Sequence, residues 1–360
     1  MDNINDIFAK RLKLARKRAK LSMDELCSIM KPNVSKQTIS KYEAGKCMPS
    51  GLLMMSLAKA LKVDIDYFAR PFDFNIDDLN ISFRKKASVG NKDLESLKVG
   101  IQDDIERYLE VETILGLKPI VLEPLTASTL STSDDMRRMA RLLRDRWGLG
   151  DNPILNVQEL LESKGIKVIL TKGAAGFDGV SGVIKKDNSY YSVVVLNPSI
   201  EMCERRRLTA MHELGHLLFN DSFGEELTPK DIEKLCNAFA NEMLFPESVA
   251  RYWFEGKRQI HLPELKNCQQ NYGISIEAIV YKLHELDIIN DARYKMFSIL
   301  KNTKLLFKQA VRTSRFKETD SMRLEAMVYK AMAEGLISKE RAAVLLNKPM
   351  TDVEYNMETI

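Results

Sequence analysis

The strongest constraint on the fold is the segment 208–219, which reads LTAMHELGHLLF. Its two histidines, His212 and His216, are four residues apart, and Glu213 follows the first of them. Side chains four positions apart lie on one face of an α-helix, so both imidazoles can point at one cation. Glu213 is turned about 100° from His212 and can act on a water next to that cation. The segment therefore predicts a helix that carries a metal site and a general base.

The third metal ligand is expected to be an acid on a following helix, because a divalent ion held by two imidazoles and one carboxylate keeps one position open. The stretch 231–246 offers Asp231, Glu233 and Glu242. Asn237 lies four residues after Glu233, on the same helical face, so its amide can orient a ligand while the carboxylate binds the metal. Spacing alone does not choose among the three acids.

Length and charge indicate more than one domain. The chain has 360 residues, of which 45% are hydrophobic and 29% charged, and that is more than one core usually buries. The net charge is +4, yet residues 1–70 carry 14 Lys or Arg against 7 Asp or Glu. This asymmetry indicates an anionic partner for the N-terminal segment, either nucleic acid or a membrane surface, with a solvated basic face as the plainer alternative.

The cysteines and the apolar runs indicate the compartment. Five cysteines, an odd number without a C-x-x-C pair, are typical of reduced thiols. The N-terminus lacks the order of a signal peptide, and no apolar run approaches the ~18 residues of a membrane helix. We therefore expect a cytoplasmic protein with no membrane partner. The cysteines are Cys27, Cys47, Cys203, Cys236 and Cys268.

The basic N-terminal segment reads as several short helices. Ser22 and Glu25 form a capping box that begins the second helix. Ser35 caps a third helix over 36–43, which ends at an Ala-Gly pair. A fourth helix is predicted over 52–61.

The rest of the chain predicts further helices around one small β-sheet. A linker-like stretch at 70–95 leads into an amphipathic helix over 92–115, and an Arg-rich helix follows over 134–147. The short β-branched runs predict strands that contain a hairpin, after which the chain returns to helices. These runs are 165–170, 182–184 and 190–196.

The N-terminal segment resembles the XRE (Cro/C1-type) helix-turn-helix family. The resemblance lies in RLKLAR (11–16), LSMDEL (21–26), VSKQTISKYEAG (34–45), MPS (48–50) and LAKALKV (57–63). It implies that the helix after Ser35 lies in the major groove of DNA. Gln37 is then the candidate for reading a base, whereas Lys36, Lys41 and Lys46 serve phosphates. The expected DNA contacts are Ser35, Lys36, Gln37, Thr38, Ser40, Lys41 and Lys46, while Ile39 and Tyr42 belong to the core.

The segment around the two histidines resembles the ImmA/IrrE family of metallopeptidases. RRRLTAMHELGH (205–216) and EKLCNAFANEMLFP (233–246) carry this resemblance. In that family the acid four residues before the Asn is the third metal ligand, which maps onto Glu233. The resemblance implies a gluzincin-like fold with one divalent ion, zinc or alternatively manganese, and characterised members cleave a repressor protein. The implied metal ligands are His212, His216 and Glu233, with Glu213 as the catalytic residue.

We therefore predict a mainly α protein with a small β-sheet, in four parts. The parts are an all-α helix-turn-helix domain (1–70), a helical linker region (71–134), an α+β gluzincin-like metallopeptidase domain (135–290) and a C-terminal helical region (291–360). The predicted function is transcription regulation at the protein's own promoter or operator, with a zinc-dependent endopeptidase that cleaves a repressor or a toxin or antitoxin partner. The alternative is a non-catalytic regulator or antitoxin whose metal domain is a sensor or a protein-binding surface. The sequence leaves open a homodimer, and it leaves open whether the C-terminal helices only pack on the body or also contact a partner.

Overall fold

The computed structural model describes residues 3–72, 74, 90–120, 122–123, 125, 129–173, 176–186 and 189–355. Most of the predicted linker stretch at 70–95 lies outside these ranges. The described chain is mainly α-helical, with one three-stranded sheet, as predicted. The helices are α1 (Ile4–Arg18), α2 (Met23–Ile29), α3 (Lys36–Glu43), α4 (Gly51–Leu61), α5 (Asn91–Ile114), α6 (Ser133–Arg146), α7 (Val157–Ser163), α8 (Cys203–Phe219), α9 (Pro229–Leu244), α10 (Glu247–Phe254), α11 (Leu262–Tyr272), α12 (Ile276–Glu285), α13 (Asp291–Thr303), α14 (Leu305–Arg312), α15 (Arg323–Ala333), α16 (Lys339–Leu346) and α17 (Met350–Tyr355). The strands are β1 (Lys167–Leu170), β2 (Gly179–Lys186) and β3 (Ser189–Leu196), and short 3₁₀ helices cover Ile65–Ala69 and Asn220–Ser222.

The four helices α1–α4 form a small separate core. The capping box predicted at Ser22 and Glu25 is present, and it begins α2. The Thr38 backbone N–H donates to Ser35 Oγ at 3.2 Å and begins α3 at the predicted residue. Ile39 and Tyr42 are buried, as expected. The buried side chains of this core are Phe8, Leu12, Ala15, Leu26, Met30, Ile39, Tyr42, Leu57, Ala58, Leu61, Tyr67 and Phe68.

The sheet has the order β1-β3-β2, so β2 is an edge strand. Strand β1 runs parallel to β3 and β2 runs antiparallel to it, and the turn of this predicted hairpin, at 187–188, lies outside the described residues. Successive side chains of a strand point to opposite faces. One face, with Val194 and Leu196, belongs to the core built with α8 and α9. The other face, with Val193 and Val195, belongs to a core shared with α5 and α15–α17.

Helices α8 and α9 approach closely at Gly215. A Cβ placed on Gly215 would lie 3.2 Å from Phe239 Cδ1 and 3.5 Å from Cys236 Sγ. A contact of 3.2 Å is tighter than nine in ten real Cβ contacts, so a side chain at this position would require Phe239 to shift by a few tenths of an ångström. The glycine therefore permits the close approach of the helix that carries the two histidines and the helix that carries the candidate acids.

Part of the N-terminal positive charge pairs with acids of helix α5. Four basic side chains of α1 and the turn after it pair with acids on α5, and the guanidinium of Arg11 is fully buried. The basic surplus of residues 1–70 is therefore partly neutralised inside the molecule, and the charge argument for an anionic partner is weaker than the sequence indicates. The pairs are Arg11–Glu106 (2.7 Å), Arg18–Asp103 (2.7 Å), Lys17–Glu95 (2.5 Å) and Lys20–Asp93 (2.5 Å).

The C-terminal helices α15 and α16 pack on the body. Helices α15 and α16 contact α5, and they are separated at Gly335, which has φ +71°. The segment before α15 crosses the start of α8, where Glu318 pairs with the buried Arg207 and Asp320 lies 3.0 Å from Arg206. Within the described ranges, no helix is long and apolar enough to cross a membrane.

Candidate functional site

Three potential metal ligands meet where α8 faces α9. The Nε2 atoms of His212 and His216 are 3.1 Å apart. Glu233 places Oε2 at 3.3 Å from His212 Nε2 and Oε1 at 3.3 Å from His216 Nε2. These three side chains are the predicted ligand set, and the structure brings them together at the partly exposed surface between the two helices.

The outer nitrogens of both imidazoles contact α9. His212 Nδ1–H donates to Asn237 Oδ1 at 3.0 Å, because an amide oxygen can only accept. His216 Nδ1 lies 3.4 Å from Cys236 Sγ. These contacts turn each Nε2 toward the shared centre and, at His212, leave Nε2 as the unprotonated nitrogen. Sequence reasoning proposed Asn237 and missed Cys236, although its position three residues after Glu233 places it on the same turn.

The spacing of the donors fits a divalent ion. Zinc binds imidazole nitrogen and carboxylate oxygen at about 2.0–2.2 Å in a tetrahedral arrangement, so neighbouring ligand atoms lie about 3.3–3.5 Å apart. The separations of 3.1, 3.3 and 3.3 Å are close to that value. Two imidazoles and one carboxylate are also a donor set that suits zinc. His212, His216 and Glu233 could therefore hold such an ion.

The other two acids that spacing left open lie elsewhere. Asp231 caps the start of α9 through a capping box with Thr228. Glu242 is fully buried at the far end of α9, where its carboxylate pairs with Lys282 at 2.5 Å. Neither carboxylate belongs to the described cluster of potential ligands. The geometry therefore favours Glu233 over the other two acids, a choice that the spacing alone did not allow.

Glu213 contacts the edge strand of the sheet. The Ser181 hydroxyl on β2 donates to Glu213 Oε2 at 2.7 Å. Ser181 is 8% exposed, so water competes little for this bond. Sequence reasoning missed Ser181, because a hydroxyl in a strand 32 residues away carries no signal of its partner.

The remaining two histidines of the chain have local partners. His261 caps the start of α11 together with Glu264. His284 stacks on Tyr294 at 4.6 Å and pairs with Asp291 at 2.7 Å. The His284 imidazole is thus held by local partners, and the His261 backbone N–H donates to Glu264 Oε2 at 2.8 Å at the start of α11.

The predicted DNA contacts lie on the outer side of α3 and the turn after it. Thr38 is half-buried, and its hydroxyl lies 3.0 Å from the Ser35 hydroxyl. Lys36 pairs with Asp24 of α2 at 2.6 Å, an exposed ion pair that costs little to break. The exposed members of the set are Ser35, Lys36, Gln37, Ser40, Lys41 and Lys46.

Two family models match the chain on the segments just described. A helix-turn-helix model matches residues 12–68. A model described as an IrrE N-terminal-like domain, of a peptidase family, matches residues 161–284, which include the strands, α8 and α9. No curated protein is significantly similar to the chain. These matches confirm the predicted architecture, in which an XRE-type helix-turn-helix domain precedes an IrrE/ImmA-like peptidase domain.

Proposed function

We propose that this protein is a DNA-binding regulator whose second domain is a metal-dependent endopeptidase. The observation that carries the proposal is the convergence of two imidazoles and a carboxylate within hydrogen-bonding distance, with Glu213 next to the first histidine on the same helix. A sensor or docking surface could use the three ligands, but it has no need of a carboxylate in the position of a general base.

Each residue of the site has a separate task in this proposal. His212, His216 and Glu233 hold one divalent ion, zinc in our proposal with manganese as the alternative. Such an ion supplies Lewis-acid chemistry, because it polarises a peptide carbonyl and acidifies a nearby water. Glu213 accepts the proton of that water and passes it to the leaving amine. The Asn237 amide oxygen accepts a hydrogen bond from His212 Nδ1–H and so orients the imidazole.

The position of β2 supports a peptide substrate. No strand within the described ranges pairs with the outer edge of β2, and an extended peptide can add to such an edge through main-chain hydrogen bonds. Ser181 of β2 contacts Glu213, so a peptide along this edge would pass the general base. We propose a partner protein as the substrate, a repressor or a toxin or antitoxin component.

We expect the purified full-length chain to hold about one zinc or manganese ion, because its donors are already close to ligand spacing. Glu233→Ala should lose the ion, since two imidazoles alone hold a divalent cation weakly. Elemental analysis after dialysis measures the metal content. Lys234→Ala, at an exposed neighbour on the same helix, serves as the control and should keep the ion.

Two outcomes of the metal experiment decide between the functions. A wild-type chain without metal contradicts the endopeptidase proposal. Cleavage is tested on the proteins encoded by neighbouring genes, with a chelator-treated sample as the reference. If the chain binds metal but cleaves none of these proteins, the result favours the non-catalytic regulator or antitoxin.

We expect Gln37→Ala to relax sequence preference at one base pair by about tenfold, since a bidentate amide contact contributes about 1–3 kcal/mol of discrimination. Lys41→Ala should weaken binding to all sequences alike and reduce the salt slope of log K by about one, because one phosphate contact is lost. Titration of the protein's own promoter fragment at several salt concentrations measures both effects. Lys339→Ala, on the distant helix α16, is the control, and unchanged binding by both α3 variants would contradict the groove assignment.

A further inference from the structure

We propose that Ser181 is a positioning residue that fixes the carboxylate of Glu213 for proton transfer. The inference rests on the proposed endopeptidase function and adds a residue on the edge strand to it. Ser181 donates to Oε2 at 2.7 Å and thereby restricts the direction in which the carboxylate points.

The register between β2 and α8 brings the two side chains together. A Cβ placed on Gly179 would lie 2.7 Å from Thr209 Cγ2, so the strand and the helix are in close contact at that point. Two residues further along β2 is Ser181, and four residues further along α8 is Glu213. Two strand steps cover about 6.6 Å and four helix steps cover about 6 Å. From the Gly179–Thr209 contact, the strand and the helix therefore advance by nearly the same distance. This brings Ser181 next to Glu213.

The pleat of β2 decides which residues can reach α8. Val180 and Ile184 point into the core that lies on the other face of the sheet. Ser181 pairs across the sheet with Val194, which belongs to the core built with α8. Ser181 therefore presents its hydroxyl to the helix, and it does so at the position opposite Glu213.

A hydroxyl in this place constrains a flexible acid. A glutamate side chain loses rotamer freedom when it is held in one conformation, and a donor to its ionised carboxylate forms a charge-assisted bond that is stronger than a neutral one. With one oxygen held, the other keeps one direction relative to the imidazoles. Correct direction of the base matters because small misplacements of catalytic groups slow reactions strongly.

The test uses the full-length zinc-loaded chain and three variants. Ser181→Ala removes the hydroxyl, Ser181→Thr keeps it in a residue that suits a strand, and Ser192→Ala removes a hydroxyl from the neighbouring strand on the same face. Cleavage of the partner protein gives kcat and KM. Two further readouts do not depend on turnover. They are the zinc content and the affinity for acetohydroxamic acid, a compound that binds the metal and gives its proton to a nearby base.

We expect Ser181→Ala to lower kcat and the acetohydroxamate affinity by about tenfold each, from the loss of one hydrogen bond to a charged group. KM and zinc content should stay within about twofold of the wild type. Ser181→Thr should restore both values, and Ser192→Ala should leave them unchanged.

Different experimental results would contradict the endopeptidase proposal and the proposed role of Ser181. If the wild type neither binds zinc nor cleaves a partner, the endopeptidase proposal falls and the role of Ser181 falls with it. If the wild type binds zinc and acetohydroxamate while Ser181→Ala retains full affinity and, where cleavage is measured, full kcat, only the role of Ser181 is overturned. Equal losses in Ser181→Ala and Ser181→Thr would also overturn it, because a packing role and not the hydroxyl would then be responsible.

Discussion

Replacement of Glu213 by Gln should leave the metal in place and slow cleavage by a factor of about 10²–10⁴. The amide keeps the size of the side chain, and it can still accept the Ser181 hydrogen bond at 2.7 Å. It cannot take up the proton of a water at neutral pH, so the general base is lost without a change of shape. Two measurements on the same preparation test this expectation. The metal content shows whether the site is intact, and cleavage of the partner protein shows whether the base is lost.

The matched control is Glu225→Gln, an exposed acid in the loop after α8, which should cleave at the wild-type rate. Cleavage by Glu213→Gln at more than a tenth of the wild-type rate would contradict the assignment of the base. Loss of metal from this variant would instead show that Glu213 supports the ligands, a role that the geometry does not give it.

Lys282→Met should destabilise the second domain by about 3–5 kcal/mol. Lys282 and Glu242 are both buried, 2.5 Å apart, and Lys282 also donates to the Phe245 carbonyl. Burial lowers the pKa of Lys282 to about 8, although Glu242 opposes this shift. Removal of the ammonium leaves a carboxylate that cannot reach water. Arg141, at 3.7 Å from the carboxylate, offsets a small part of the loss.

The double variant Lys282→Met with Glu242→Leu should recover most of the lost stability, because no buried charge then remains unpaired. Lys330→Met, which breaks the exposed Lys330–Glu334 pair, should cost under about 1 kcal/mol. Urea unfolding followed by tryptophan fluorescence measures all three, since both tryptophans of the chain, Trp147 and Trp253, lie beside the second-domain core. A Lys282→Met variant as stable as Lys330→Met would contradict the argument.

Local signals in the sequence were sufficient to predict the helices of the N-terminal module. The capping box at Ser22 and the cap at Ser35 involve residues three apart, so their hydrogen bonds are encoded in consecutive turns. The same holds for His212 and His216, whose shared face follows from helical spacing alone. The fold class and this half of the candidate site were therefore predictable.

The rest of the site depends on contacts between distant segments. Glu233 meets the histidines while Glu242 is buried against α12, and the difference arises from how α9 packs. Ser181 and Cys236 contact residues 32 and 20 positions away. The burial of Arg11 depends on Glu106, which is 95 positions away. Such partners are set by tertiary packing, which no local pattern in the sequence records.

The ion pairs between α1 and α5 have a consequence for how the protein would choose its target. Helix α5 has 24 residues, about 36 Å, and it contacts both α1 and strand β1. Under the proposed function, a chain bound to an operator would hold its peptidase at a fixed distance and direction from the DNA. A repressor on an adjacent operator would then meet the site at an effective concentration on the order of millimolar. The spacing between operators would thus help to determine which repressor is cleaved.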